Sequence, residues 1–240
     1  MSAVFDLHVH TTKGSRDSSL TPEEMVAEAK HIGLTGLLVT EHEGWPRHEF
    51  DEFAQRHDLV IVRGLEVYTN AGHVIVLGMD EYESGVFDIN RLRKLVNQIG
   101  GYMILAHPFR FLFDPAGTYT RNVLFEDPKR LPKTASEASI HPVFDLVHNL
   151  EVVNGGNLEP ENRLAQDVAG IRRFRGTGGS DAHSTQGLGR GVTIFNGTVR
   201  HERDLLEALR EGDYAAAEGF NIGRLAHYAT HHPNGSQGQG

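Results

Sequence analysis

Val4-Phe5-Asp6-Leu7-His8-Val9-His10 is the stretch whose reading decides the fold. Val4–Leu7 reads as a short strand, and polar residues crowd its end. His8 and His10 stand two apart, so in an extended chain their side chains point the same way. A His-x-His pair at a strand end can chelate one metal ion.

The same grammar recurs further along. Thr21-Pro22-Glu23-Glu24 opens a helix, with Thr as N-cap, Pro at the first helical position and acids in the first turn. That helix is predicted to run to Ile32 and stop at Gly33. Strands are predicted at Gly36–Thr40, Leu59–Val67, His73–Leu77, Tyr102–Ala106, Leu150–Val153, Arg173–Thr177 and Val192–Phe195. Helices are predicted near 46–57, over Asn90–Ile99, and near 159–169 and 201–211. Repeated strand–helix alternation argues for a parallel, barrel-like α/β domain. Residues 109–147 break the rhythm as a long connection of weak periodicity, which suggests a lid that covers the site and sets substrate size. The tail, 231–240, has a flexible composition, so one domain over 1–230 is expected.

Composition narrows the function. The chain has 240 residues and no cysteine, which excludes disulfide scaffolds, iron–sulfur centres and thiol catalysis. A formal net charge of −9 argues against long nucleic acid as partner, since phosphate backbones reward clustered Lys and Arg. No apolar run approaches the ~20 residues needed to span a bilayer. Met1–His8 has no basic, long apolar signal segment. No membrane partner and a cytoplasmic location are therefore expected. Oligomeric state cannot be read. The unusual count is 15 histidines.

Ligand-type residues gather where strands end. Glu41-His42 follows the second predicted strand, Glu66 lies near the end of the third, His107 follows the fifth, and Asp181 and His183 follow the strand predicted at 173–177. In α/β barrels such ends converge on one face. His8, His10, His42, Glu66, His107, Asp181 and His183 would then share a pocket. Imidazole and carboxylate without thiolate suit Zn²⁺, Mn²⁺ or Fe²⁺. Seven such residues exceed the needs of one ion with an open position, so two or three divalent ions are expected, with Glu66 the candidate bridge.

The order Asp-x-His-x-His, Thr-Glu-His, Gly-x-Glu, His-Pro and Ser-Asp-Ala-His resembles the PHP (polymerase and histidinol phosphatase) family over residues 4 to about 213. The resemblance is greatest to its small stand-alone phosphoesterases. It implies a distorted seven-stranded (β/α) barrel, here with a long insertion after the fifth main strand. It also implies a trinuclear metal site and metal-dependent phosphoester hydrolysis. By position it carries over His8, His10, Asp17, His42, Glu66, His73, His107, Asp181 and His183 as ligands. Two departures stand out: Lys13–Arg16 lengthens the loop before Asp17, and Glu41 stands where the family more often has Asp.

The expected substrate is a small phosphorylated molecule, a mono- or diester. A metal-bridging hydroxide attacks phosphorus in line, and Asp181 orients it. A nearby histidine, with His183 as candidate, protonates the leaving oxygen. Arg190 is the candidate phosphate contact, ahead of Lys13, Arg16 and Arg110. Asn154 is a candidate substrate contact, and Glu41 and Asp6 are candidates to support the ligand histidines. Competing readings are a histidinol-phosphate phosphatase, an exonuclease or oligonucleotide phosphodiesterase, an amidohydrolase-type enzyme, and a metal-binding module without catalysis.

Overall fold

The computed structural model describes residues 2–113, 122–127 and 129–228. Ten strands form one sheet: β1 (Ala3–Val9), β2 (Gly36–Glu41), β3 (Val60–Thr69), β4 (Gly72–Leu77), β5 (Tyr102–Leu105), β6 (Asn149–Asn154), β7 (Thr177–Gly179), β8 (Gly191–Phe195), β9 (Tyr214–Glu218) and β10 (Ala226–Tyr228). The helices are α1 (Pro22–Ile32), α2 (Arg47–Gln55), α3 (Ile89–Ile99), α4 (Ala135–Ser139), α5 (Glu159–Arg172) and α6 (Glu202–Glu211). The sheet order is β10-β9-β8-β1-β2-β3-β4-β5-β6-β7. The α/β class stands, but the strand set differs from the seven expected.

The sheet is also mixed. β1, β2 and β3 run parallel, as do β5, β6 and β7. β4 is antiparallel to both neighbours, because the Asn70-Ala71-Gly72 turn returns the chain at once. β8, β9 and β10 extend the sheet antiparallel from β1.

Curling brings the two flanks together at β1. Its first half pairs with β8, Ala3 opposite Phe195. Its far end is bonded instead to the segment after β7: His10 N–H donates to the Ala182 carbonyl at 2.9 Å, and Ala182 N–H to that of His8 at 3.2 Å. A β carbon on Gly179 would stand 2.5 Å from His8 Cβ, so only glycine lets β7 approach β1 this closely. The β1–β2 register also shifts between Asp6 and Val9, a local irregularity beside the candidate site.

The helices form for reasons visible in the chain. Thr21 Oγ1 accepts from Glu24 N–H and Glu24 Oε2 accepts from Thr21 N–H, a reciprocal cap on α1. Gly33, left-handed at φ 85°, ends it. Met25, Val26 and Ala29 are then buried with Leu37, Val39, Phe50 and Phe53 beneath α1 and α2. A second core joins β3–β6 to α3 and α5 through Leu65, Val76, Leu92, Val96, Leu150 and Val168.

The strand expected at Arg173–Thr177 is displaced. α5 continues to Arg172, Arg173 caps it in the left-handed conformation at φ 61°, and the strand begins at Thr177. The connection from β5 to β6 carries α4 and a 3₁₀ turn at Pro142–Asp145. Part of the expected lid (114–121 and 128) and the tail lie outside the described residues. Among the described residues no helix is long and apolar enough to cross a membrane.

Candidate metal centre

One end of the sheet collects the polar side chains. His8 lies at the carboxyl end of β1, with His10 just beyond. His42 follows β2, Glu66 lies near the end of β3, His107 follows β5, and Asp181 and His183 follow β7. β4 runs the other way, so its start lies at this same end. In the β3–β4 register Tyr68 faces His73 and Glu66 faces Ile75, which places His73 diagonal to Glu66 on one face.

These residues form three groups whose ligand atoms lie within 4.8 Å of one another. In the first, His8 Nε2 is 3.4 Å from Glu66 Oε2 and 3.5 Å from Asp181 Oδ1, and His10 Nε2 is 3.2 Å from each of the same oxygens. In the second, Glu66 Oε1 lies 2.9 Å from both His73 Nδ1 and His107 Nε2. The third joins His10, His42 and His183. Asp17 Oδ2 lies 3.3 Å from His42 Nε2 and from His183 Nε2. Glu66 therefore serves two groups, one oxygen to each, and its Oε2 also lies 3.3 Å from His42 Nδ1. All nine ligand candidates meet at this end of the sheet.

Hydrogen bonds aim the rings. His8 donates from Nδ1 to Glu151 Oε1 at 2.9 Å, which leaves Nε2 for the cluster. Ser15 Oγ gives its proton to Glu41 Oε2 at 2.6 Å, so it must accept from His10 Nδ1 at 3.1 Å. That fixes His10 with Nε2 inward. His183 donates from Nδ1 to the Asp181 carbonyl at 2.9 Å, again freeing Nε2. His8 Nε2 and His10 Nε2 are buried and have no hydrogen-bond partner among the described residues. Buried lone pairs without partners are costly, and a divalent ion between these nitrogens and the facing carboxylates fits them.

The field at this point favours positive charge. Burial works against a charged His8, but Glu151, Asp181 and Glu66 outweigh it and hold its pKa well above the usual imidazole range. Burial would raise Glu66 and Asp181, yet the surrounding histidines, with Arg110 beside Asp181, hold both well below the usual carboxylate range. His107 moves the other way, lowered by burial and by Arg110. The backbone is strained at two of the candidates: φ is 29° at His107 and 53° at Asp181.

Asp6 is structural. Its carboxylate accepts from the amides of Ser180 at 2.8 Å and Gly189 at 2.9 Å, and burial pushes its pKa up to about 6. Glu41 supports His10 through Ser15 and also accepts from Thr11. Asn154 is buried beneath the site, donating to Glu151 Oε2 at 2.9 Å and accepting from Arg110 Nη2 at 2.7 Å.

The arginine at the cluster is Arg110. Its Nη1 lies 2.5 Å from Asp181 Oδ2, and its Nε donates to Asn157 Oδ1 at 3.2 Å. Arg190, the expected phosphate contact, is exposed and donates from Nε to the Gln186 carbonyl. Lys13 pairs with Glu49 and Arg16 with Glu43, both on the surface. Glu151 was missed by sequence reasoning. Its one signal is an acid inside the apolar run Leu150-Glu151-Val152-Val153.

Comparison with known proteins follows the same lines. A family model described as PHP domain matches residues 6–168, and one described as PHP-associated matches residues 159–214. Over 70 residues, 29% of this chain, the sequence is 37% identical to error-prone DNA polymerases of Mycobacterium bovis and Mycobacterium tuberculosis. The match spans 6% of those polymerases' length. Among solved structures, PsfC from Pseudomonas syringae superposes with a TM-score of 0.58 at 20% identity, covering 86% of this chain and 88% of that one. A protein of Bifidobacterium adolescentis described as a metal-dependent phosphoesterase gives 0.58 at 15% identity, covering 87% and 96%. An amidohydrolase from Chromobacterium violaceum gives 0.54 at 16%, covering 85% and 96%. At these identities the structural likeness bears on the fold.

Proposed function

This chain belongs to the PHP family, and on that premise we propose that it hydrolyses small phosphoesters in a metal-dependent reaction. One observation carries the reading. Glu66 offers its two oxygens to two histidine groups, beside the orphaned Nε2 atoms of His8 and His10. A carboxylate so placed suits adjacent divalent ions, as in two-metal phosphoryl-transfer sites.

Two or three ions of the Mn²⁺, Zn²⁺ or Fe²⁺ type would be held by His8, His10, Glu66 and Asp181, by Glu66, His73 and His107, and by His42, His183 and Asp17; His10 Nε2 also reaches the last group, but its single lone pair serves one ion. When bound, they supply Lewis-acid charge and an acidified water. The chain's own residues do the rest. Arg110, pinned by Asn154, Asn157 and Asp181, holds a non-reacting phosphate oxygen through its planar fork. Asp181 ties that guanidinium to the histidine pair. His183, half-buried, gives Nδ1 to the Asp181 carbonyl and would offer Nε2 to an ion beside Asp17, so as a ligand it has no ring nitrogen left to protonate the leaving oxygen, and water would supply that proton. The substrate is a small phosphorylated molecule. The net charge of −9 disfavours long nucleic acid, despite the polymerase match.

The test is phosphate release from a panel of mono- and diesters. Protein loaded with Mn²⁺, Zn²⁺ or Fe²⁺ is compared with chelated protein and with Asp181→Ala, and metal per chain is counted. Release that needs metal and disappears in Asp181→Ala supports the reading. No release from protein carrying two or three ions overturns it.

A further inference from the structure

A cavity of about 140 Å³ opens beside His73 and His107, walled by Leu105, Pro108, Phe111, Val123 and Leu124. Building on the phosphoesterase reading, we propose that it receives one apolar ring, or a branched alkyl group of that size, on the leaving alcohol of the substrate.

Three observations carry this. The first is size. An engineered protein cavity of about 150 Å³ lined by apolar side chains takes up benzene, so this space matches a single ring.

The second is polarity. Among the described residues the lining is mostly apolar; its polar side chains are His73, His107, Arg110 and Asn122, and His73 and His107 each turn a ring nitrogen to Glu66 Oε1 at 2.9 Å. Asn122, the one amide side chain in the wall among the described residues, is fully engaged. Its Nδ2 donates to the carbonyls of Pro108 at 2.8 Å and Arg110 at 3.0 Å. Its Oδ1 accepts from the amides of Leu124 and Phe125, each at 3.0 Å. Among the described residues no side-chain amide in the wall remains to read the edge of a polar ring, and a ring with unsatisfied donors would be rejected.

The third is placement. Arg110 lines the cavity and has its guanidinium on Asp181, so a phosphate held by Arg110 would have its ester oxygen beside the cavity. In hydrolysis the P–O bond to the alcohol breaks. Water's oxygen bonds to phosphorus, and a water proton ends on the alcohol oxygen. The group in the cavity leaves as a free apolar alcohol.

Two readouts test the inference on the zinc-loaded protein. One compares kcat/KM for benzyl phosphate and glycerol phosphate. The other follows 4-fluorobenzyl alcohol by fluorine NMR, which needs no turnover. Leu124→Trp fills the cavity, and Val123→Asp places a charge in its wall. The expected result is at least a tenfold preference for benzyl phosphate and broadening of the fluorine line. Both variants should lose both effects while still hydrolysing glycerol phosphate, which shows that they fold. Equal use of the two esters, with no line broadening, overturns the apolar subsite and leaves the phosphoesterase reading intact. Probe binding that both variants abolish, with no phosphate released from any ester, supports the subsite and overturns the phosphoesterase reading alone.

Discussion

Glu151 accepts the Nδ1 proton of His8 at 2.9 Å from the far side of the ring, while its other oxygen accepts the amide of His107 at 2.8 Å. One buried carboxylate thus orients two candidate ligands that come from different strands. Glu151→Gln keeps the shape but puts an amide where three donors, from His8, His107 and Asn154, now converge. Partners of this kind cost about 10–100-fold in metal affinity or activity when changed. Chelator competition should show that loss, with unaltered circular dichroism. Unchanged metal affinity would remove Glu151 from the site.

Arg110 and Arg190 make opposite claims on the phosphate. A hydrogen bond to a charged group is worth roughly 1.5–3 kcal/mol, about 10- to 150-fold in kcat/KM. Arg110→Ala should lose that much. Arg110→Lys should recover only part, because the planar fork is gone. Arg190→Ala should lose less than Arg110→Ala. The reverse order would return the role to Arg190.

Asp17 is the most exposed of the ligand candidates, at 60% of its side chain, and among them it lies within 4 Å of His42 and His183. Its removal should open the outermost group first. Asp17→Ala is expected to bind one ion fewer per chain by elemental analysis. Loss of all bound metal would contradict the division into three groups.

Away from the site, His148 makes stability depend on pH. Burial, then the charges of Arg93 and Arg210, lower its pKa from 6.5 to about 4. Its Nδ1 accepts the Met103 amide at 2.9 Å, which a proton there would break. Between these values the unfolded chain holds the proton and the folded chain does not. The contribution is therefore whole above pH 6.5 and is lost as pH falls toward 4. Melting curves over that window should steepen in the wild type relative to His148→Gln. Equal slopes would dismiss His148 as the source.

Much of this was legible in the chain because its signals are local. The Thr21–Glu24 cap and Gly33 bound α1 at the residues where it begins and ends. His-x-His, Thr-Glu-His and Ser-Asp-Ala-His stand directly at strand ends, so periodicity alone brought their residues near one another. Other features depend on contacts distant in sequence. Tyr214–Glu218 is alanine-rich and has weak strand propensity, yet β8 on one side and β10 on the other make it β9. β7 is only three residues long and is defined by its pairing with β6. Glu151 became legible as part of the site only once β6 lay beside β5, since it belongs to no motif of its own, and Arg110, named from the sequence behind Arg190, is set ahead of it only by its contacts with Asp181 and Asn154.

The pair of backbone bonds joining Ala182 to His8 and His10 acts as a seam. Asp181 and His183 lie on one side of it, and His8 and His10 on the other. Local opening here would part the ligand set while the helices stay folded, so the seam's amides report the integrity of the site directly. An ion gripped from both sides staples the seam shut, and hydrogen exchange at the His10 and Ala182 amides should slow as metal is added. Amides in the middle of α3 serve as the internal clock against which that slowing is read.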